Sequence, residues 1–149
     1  MIKTIALFTS IVVVAANVLN VKATYREPYE LAGMTEEEFY LISSVVEAES
    51  DRSESLDGRI LIAETILNRV NSPSFPDTIP EVLQQAGQFT TVVNGRSIVE
   101  RTELSDQAVI IAVQEIESGT APEVLFFNCI GYNYGTPYAY VDGNYFMEA

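Results

Sequence analysis

The chain has 149 residues, with 21 Asp and Glu against eight Lys and Arg, one Cys and no His, for a formal net charge of −13. This length is typical of one domain with its own core. The charge argues against a nucleic-acid partner, because phosphate binding needs clustered Lys and Arg. Without His, the chain cannot form a Ser-His-Asp triad or a His-ligated zinc site. Acid–base chemistry must then come from Asp, Glu, Tyr or Lys, and we expect neither a metal nor a cofactor.

The first 23 residues differ from the rest of the chain. Lys3 precedes an apolar run over 5–19, and Ala23 offers a small residue for cleavage. These features predict a secretory signal peptide over 1–23. An uncleaved membrane anchor is the alternative, although the run is shorter than the roughly 20 residues that span a bilayer. Both interpretations place the domain outside the cytoplasm, secreted or in the cell envelope, with membrane contact only through an uncleaved N-terminal segment.

After this segment we expect a short extended arm over 24–34 and one domain over 35–149. Thr35 and Glu38 have the spacing of a capping box, which predicts the start of a helix. Apolar residues at helical spacing and the stop signals Pro73 and Gly119 define the rest of the helical pattern. The predicted helices cover about 35–50, 56–71, 79–85 and 104–118. The inward positions predicted for the last of these are Ala108, Ile111, Ala112 and Ile116.

Strands are predicted in the second half of the chain. Asn94-Gly95 lies between the runs 89–93 and 96–99, which predicts a hairpin because a type I′ turn needs two residues with positive φ. Residues 124–128 predict another strand, and the Gly- and Tyr-rich tail over 131–145 is predicted to be irregular. Helices with a small antiparallel sheet make an α+β domain.

One carboxylate falls on an apolar helix face. Glu49 continues the stripe of the first helix, four residues after Val45 and three after Val46, whereas Glu47 points about 200° away. Burial and the negative end of the helix dipole would both raise the pKa of Glu49. A Glu that stays protonated near neutral pH can serve as a general acid. The alternative is that Glu49 frays into solvent at the helix end.

Ordered motifs extend this pattern, and together they resemble the cell wall hydrolase family, which includes the catalytic domain of spore-cortex-lytic enzymes. The resemblance covers roughly 35–146. The motifs are Ala48-Glu49-Ser50, Asp57-Gly58, Leu67-Asn68-Arg69-Val70, Ser72-Pro73, Phe75-Pro76-Asp77-Thr78-Ile79 and Gly87-Gln88-Phe89-Thr90.

The resemblance implies a lysozyme-like fold that cleaves peptidoglycan glycan strands at a β-1,4 bond, commonly as a lytic transglycosylase. It also implies that Glu49 is the catalytic glutamate. We therefore expect a monomer whose partner is the glycan strand. Gln88 and Phe89 are expected to border the groove, by an amide hydrogen bond and by ring packing on a sugar, or else to be an exposed residue and a core residue.

Further candidates for the groove come from acids and tyrosines. Asn128 and Tyr132 are expected to line it, with Tyr134 and Tyr138 as additional rings, because sugar grooves favour flat side chains with a polar tip. A second carboxylate is needed in ordinary two-acid glycosidases. Its candidates are Glu54, Asp57 and Glu64.

Two other functions stay open at this stage. One is a hydrolytic muramidase or glucosaminidase on the same fold. The other is a non-catalytic wall-binding protein, because the resembling family often carries His in a Gly-Asn-His segment where this chain has Gly143-Asn144-Tyr145. Products released from peptidoglycan would distinguish the three.

Overall fold

Helices dominate the described chain up to Ser118, interrupted by one short hairpin, and three further strands follow over 124–148. The computed structural model describes residues 26–50, 55–93 and 96–149. The predicted signal peptide, the loop containing Glu54 and the Asn94-Gly95 turn lie outside the described residues. The elements are α1 Pro28–Leu31, α2 Glu36–Glu49, α3 Leu56–Asn71, α4 Ile79–Leu83, β1 Val92–Val93, β2 Arg96–Ser97, α5 Glu103–Ser118, β3 Val124–Asn128, β4 Thr136–Val141 and β5 Asn144–Glu148.

The three long helices begin and end where local signals predict. The Thr35 hydroxyl accepts from the backbone N–H of Glu38, and the Glu38 carboxylate accepts from the backbone N–H of Thr35, both at 3.2 Å. Gly119 follows α5 with a φ of 71°, a left-handed conformation that suits glycine at a helix C-terminus. Each of these interactions involves neighbours along the chain, which is why sequence alone predicts them.

The core forms around α3, which packs against α2, α5 and β3. The rings of Phe39 and Phe146 and the side chains of Ile42 and Ile66 are fully buried there. The buried face of α5 differs from the prediction, because Ile111 and Ile116 are only half-buried. Its buried apolar residues are Ala108, Val109, Ala112 and Val113.

The predicted arm contains a helix, so its extended conformation over 24–34 is wrong at 28–31. Pro28 occupies the first helical position, where its fixed φ suits the helix and its missing N–H costs nothing. The Glu30 carboxylate accepts from the backbone N–H of Glu27 at 3.0 Å, which ties down the helix start. None of the helices in the described ranges is both long and apolar enough to cross a membrane.

The predicted hairpin is present but short, with Val92 opposite Ser97 and Val93 opposite Arg96. The prediction of an irregular tail over 131–145, in contrast, is wrong. Residues 136–148 form two strands that join β3 in an antiparallel sheet of order β3-β5-β4. Asp142 and Gly143 join β4 to β5, both with positive φ, as a tight hairpin turn requires. The glycines of this tail mark turns between strands.

The observed architecture is therefore α+β, as predicted. The sheet rests one face on the core through Phe127 and Phe146, whose rings stack at 5.7 Å between centroids. Its other face carries Phe126, Asn128 and Tyr145, because side chains alternate along each strand. The end of α2 and the end of β3 meet at one side of the molecule, where they border a cleft.

Candidate active site

A cleft of about 500 Å³ lies between the C-terminal end of α2, the segment after α4 and the end of β3. This volume is in the range of small-molecule sites. Among the described residues it combines the carboxylate of Glu49 and the guanidinium of Arg69 with amides and aromatic rings. The residues that line it include Glu49, Arg69, Gln88, Phe89, Asn128 and Tyr134.

Glu49 is the last residue of α2 and is half-buried in this cleft, so it does not fray into open solvent. The Thr91 hydroxyl donates to its Oε1 at 3.0 Å. Burial raises the pKa of Glu49, and the hydrogen bond from Thr91 lowers it by less, so the pKa lies above its ordinary value. The position suits a group that must carry a proton near neutral pH.

Glu47, two residues earlier, has the opposite environment. Arg59 Nη2 donates to its Oε1 at 2.9 Å and Arg59 Nε to its Oε2 at 3.1 Å, and the Thr102 hydroxyl donates to Oε2 at 2.6 Å. Burial raises the pKa of Glu47, but these hydrogen bonds and the charge of Arg59 outweigh it and hold the pKa below its ordinary value. Glu47 is thus an ionised structural residue that links α2 to α3 and α5.

Arg69 organises the aromatic wall of the cleft. Its Nη1 donates to Oε1 of Gln88 at 2.9 Å, and its Nε donates to the carbonyl of Leu125 at 2.7 Å. Its guanidinium carbon lies 5.0 Å from the centroid of the Phe75 ring and 5.5 Å from that of Phe89. Burial lowers the pKa of Arg69 to about 10, so the group stays charged at neutral pH. One side chain therefore positions an amide and two rings.

The two residues predicted at the groove border both line the cleft. Phe89 is buried and contacts Phe127, and it also borders the cleft. Its packing on a sugar ring stays a prediction. Gln88 is exposed, but its amide oxygen already accepts from Arg69. Asn128 lines the cleft too, and its Oδ1 accepts from the backbone N–H groups of Ile130 and Gly131 at 2.8 and 2.9 Å. These bonds fix the Asn128 side chain at the end of β3.

Other predicted residues lie elsewhere. Glu64 is in the core, 1% exposed, with no hydrogen-bond partner for its oxygens among the described residues. Burial, followed by the nearby Glu115 carboxylate, raises its pKa to about 8. Tyr132 is outside the cleft and packs edge-on against Tyr145. Asp57 is exposed at the start of α3 and Glu54 is outside the described residues.

Sequence reasoning missed Thr91, the hydrogen-bond donor to Glu49. It is two residues after Phe89 in a segment predicted to be extended, and alternation would have placed both on one face. The described ranges contain no group of three or more Cys, Asp and Glu side chains placed to hold a metal ion.

Comparison with known proteins identifies the family of the chain. A profile of the cell wall hydrolase family matches residues 53–138, more than half of the chain. The chain belongs to the cell wall hydrolase family. A spore cortex-lytic enzyme of Oceanobacillus iheyensis is 33% identical over 97 residues, which are 64% of this chain and 34% of that protein. One of Bacillus subtilis is 33% identical over 81 residues, 54% of this chain and 26% of that protein. The chain thus spans about a third or less of these relatives.

Solved structures of the family share the fold. The catalytic domain of the Bacillus cereus SleB protein superposes with a TM-score of 0.63 at 25% identity, over 76% of this chain and 91% of that one. The catalytic domain of the germination-specific lytic transglycosylase SleB from Bacillus anthracis gives a TM-score of 0.64 at 25% identity, over 78% and 98%. The sequence resemblance to the cell wall hydrolase family is therefore confirmed.

Proposed function

We propose that this cell wall hydrolase cleaves the glycan strands of bacterial peptidoglycan at a β-1,4 glycosidic bond, with Glu49 as its acid and base. The observation that supports this most is the environment of Glu49. It is half-buried in the cleft, its pKa is raised by burial, and its one described hydrogen bond comes from a neutral hydroxyl. Family membership and the names of the relatives support peptidoglycan as the substrate class. Action on that polymer would take place outside the cytoplasm.

The chemistry needs one proton at the leaving oxygen and one returned afterwards. Protonated Glu49 donates to the glycosidic oxygen as the C–O bond breaks. The carboxylate that results accepts the hydrogen bond from Thr91, which stabilises it at that moment. It then takes a proton from the C6 hydroxyl of the muramoyl residue, whose oxygen attacks C1 and closes a 1,6-anhydro ring. Glu49 is protonated again, so the cycle is balanced without water.

Within residues 26–50, 55–93 and 96–149, the distribution of carboxylates is consistent with this transglycosylase route. An inverting or retaining hydrolase uses a second carboxylate across the bond. Among the described lining residues, Glu49 is the one acid. Glu47 is bound by Arg59, and Glu64 lies in the core. A route that uses the substrate's own hydroxyl fits this arrangement.

Product masses test the proposal. Purified protein is incubated with purified peptidoglycan, and the soluble fragments are weighed. We expect fragments with anhydro ends, each one water lighter than the corresponding reducing end. Reducing ends would show a hydrolase and contradict the transglycosylase step. Absence of fragments from folded protein would contradict cleavage altogether and leave a wall-binding protein.

Glu49→Gln removes the proposed acid, and its matched control makes the same change of charge away from the cleft. Glu117→Gln removes a carboxylate from an exposed position on α5, and its products should equal those of the wild type.

A further inference from the structure

Exposed tyrosines are concentrated on the outer face of the C-terminal sheet, beyond the cleft. Tyr132, Tyr138 and Tyr140 expose 43%, 48% and 59% of their surface. Tyr145 lies between two of them, with ring centroids 4.9 Å from Tyr132 and 4.5 Å from Tyr140. We call these four residues the tyrosine platform. Contiguous exposed rings of this kind on a small protein mark a binding surface more often than they mark a stable bare surface.

The strand register connects the platform to the cleft. Asn128 on β3 pairs with Tyr145 on β5, and Tyr145 pairs with Tyr140 on β4. Residues paired in this way place their side chains on the same face of the sheet, one strand spacing of about 4.8 Å apart. Because Asn128 lines the cleft, the row of three side chains runs without a break from the cleft to the edge of the sheet.

The opposite face of the same strands makes the contacts with the core. Ala139 and Phe146 pair with each other between the tyrosines, and Phe146 is fully buried in the core. Alternation therefore directs Tyr140, which pairs with Tyr145, away from the core. Tyr138 lies at the register shift between Pro137 and Ala139 and is 48% exposed. The core does not need these two rings, and they are available to a partner.

The chemistry of the platform selects the kind of partner. Its four side chains are uncharged, and the chain as a whole carries a net charge of −13. It therefore offers no attraction to polyanions. Flat rings with a hydroxyl tip bind surfaces that are apolar on one side and polar at the rim. Pyranose rings with N-acetyl groups have that character.

We propose that the tyrosine platform is a second carbohydrate-binding surface, which holds the part of a glycan strand that extends past the cleft. This inference rests on the proposed function, because the occupant is the strand whose adjacent bond Glu49 cleaves. The platform would keep the protein on long strands, whereas a short oligosaccharide would occupy the cleft alone.

The test uses a double variant that removes the rings but keeps the strand. Tyr138→Thr/Tyr140→Thr replaces both with β-branched residues, which favour β structure. Binding to insoluble peptidoglycan is measured by co-sedimentation in a Glu49→Gln background, so that the polymer stays intact. We expect affinity to fall about ten-fold, the size expected from two aromatic contacts. Tyr138→Phe/Tyr140→Phe keeps the rings and should retain most of the binding.

Cleavage gives a readout independent of binding. In the protein with Glu49 intact, the double Thr variant should cut long strands about ten-fold more slowly at low substrate concentration and short soluble oligosaccharides at the wild-type rate. Leu31→Thr changes an exposed apolar residue on α1 and should alter neither rate. If the wild type releases no fragments but binds peptidoglycan more tightly than the double Thr variant, the proposed cleavage is contradicted and carbohydrate binding by the platform is supported.

Three results would overturn the platform proposal. One is unchanged binding and unchanged cleavage of long strands in the folded Thr variant. Another is an equal loss of activity on long and short substrates. The third is a wild-type dimer in sedimentation that becomes a monomer in the Thr variant, because β4 is an edge strand and the rings would then bind a second copy.

Discussion

The two sides of the last turn of α2 make opposite use of the same amino acid. Glu47 faces α3 and α5, where Arg59 and Thr102 bind it and its pKa is lowered. Glu49 faces the cleft, where Thr91 is its hydrogen-bond donor and burial raises its pKa. Both lie at the negative end of the helix dipole, which by itself favours a higher pKa at both positions. The difference therefore comes from neighbours supplied by other elements.

This comparison shows why a glutamate on an apolar face is informative. Burial alone penalises the carboxylate at either position. At Glu47 the Arg59 guanidinium offsets the cost of burying the carboxylate, and the result is a structural ion pair. At Glu49 no cation offsets the burial among the described contacts, and the pKa of the carboxyl group lies above its ordinary value. The proposed mechanism requires Glu47 and Glu49 to have different roles.

The largest expected effect is on activity at Glu49. Glu49→Gln keeps the shape of the side chain but removes the proton donor, so we expect the rate of fragment release from peptidoglycan to fall at least about 100-fold. Initial rates on purified peptidoglycan measure it. The melting temperature should stay the same or rise, because the substitution removes a desolvated carboxyl group. Full activity in a folded Glu49→Gln protein would remove Glu49 from the mechanism.

At Glu47 the expected effect is on stability. Glu47→Gln removes the carboxylate that accepts two hydrogen bonds from the buried Arg59 guanidinium, and breaking such a pair costs about 3 kcal/mol. Urea denaturation measures the loss in free energy of unfolding. Rates per folded molecule on peptidoglycan should match the wild type, and a catalytic defect in the folded variant would blur the distinction between the two glutamates.

Glu64 sharpens the comparison, because it shows burial without a cation in the core. Its pKa of about 8 lies above the ordinary 4.5, so the folded protein keeps a proton that the unfolded chain loses between these values. Stability from this group is full below pH 4.5 and declines as pH rises towards 8, by at most about 1.4 kcal/mol per pH unit. Glu64→Gln should flatten this decline in urea titrations. An unchanged slope would show that Glu64 does not titrate there.

The smallest expected effect is a shift in the pH profile at Thr91. Thr91→Val removes the hydrogen bond that favours the ionised form of Glu49, so the pKa of Glu49 should rise further. Because the protonated form is the acid, the alkaline limb of the activity profile should move to higher pH. Movement to lower pH would contradict the assignment of Thr91 as a donor to the carboxylate.

Local signals explain what could be predicted from the sequence. The capping box at Thr35, the apolar stripe of α3 and Gly119 each act within one or two helical turns. They gave α2, α3 and α5 to within a residue. Glu49 was found in the same way, from its spacing to Val45 and Val46.

Non-local contacts explain what could not. Thr91 is 42 residues from Glu49, and only the folded chain brings them together. Glu64 faces α5 in the core, against the rule that Glu is rarely buried. Strands β4 and β5 were missed although Asp142-Gly143 is a hairpin signal as strong as Asn94-Gly95. Tyr132 was assigned to the cleft, but the segment after β3 carries it to the other tyrosines.

The most direct test of the proposed mechanism compares two measurements. The first is the ¹³C NMR titration of the Glu49 carboxyl group in the free protein, with the signal assigned by its loss in Glu49→Gln. The second is the pH profile of kcat/KM on a soluble glycan strand. The account predicts a pKa of Glu49 above its ordinary value and an alkaline limb of kcat/KM at that same pH, since kcat/KM reports ionisations of the free enzyme. A Glu49 that titrates at or below its ordinary value, or a limb at a different pH, would contradict it.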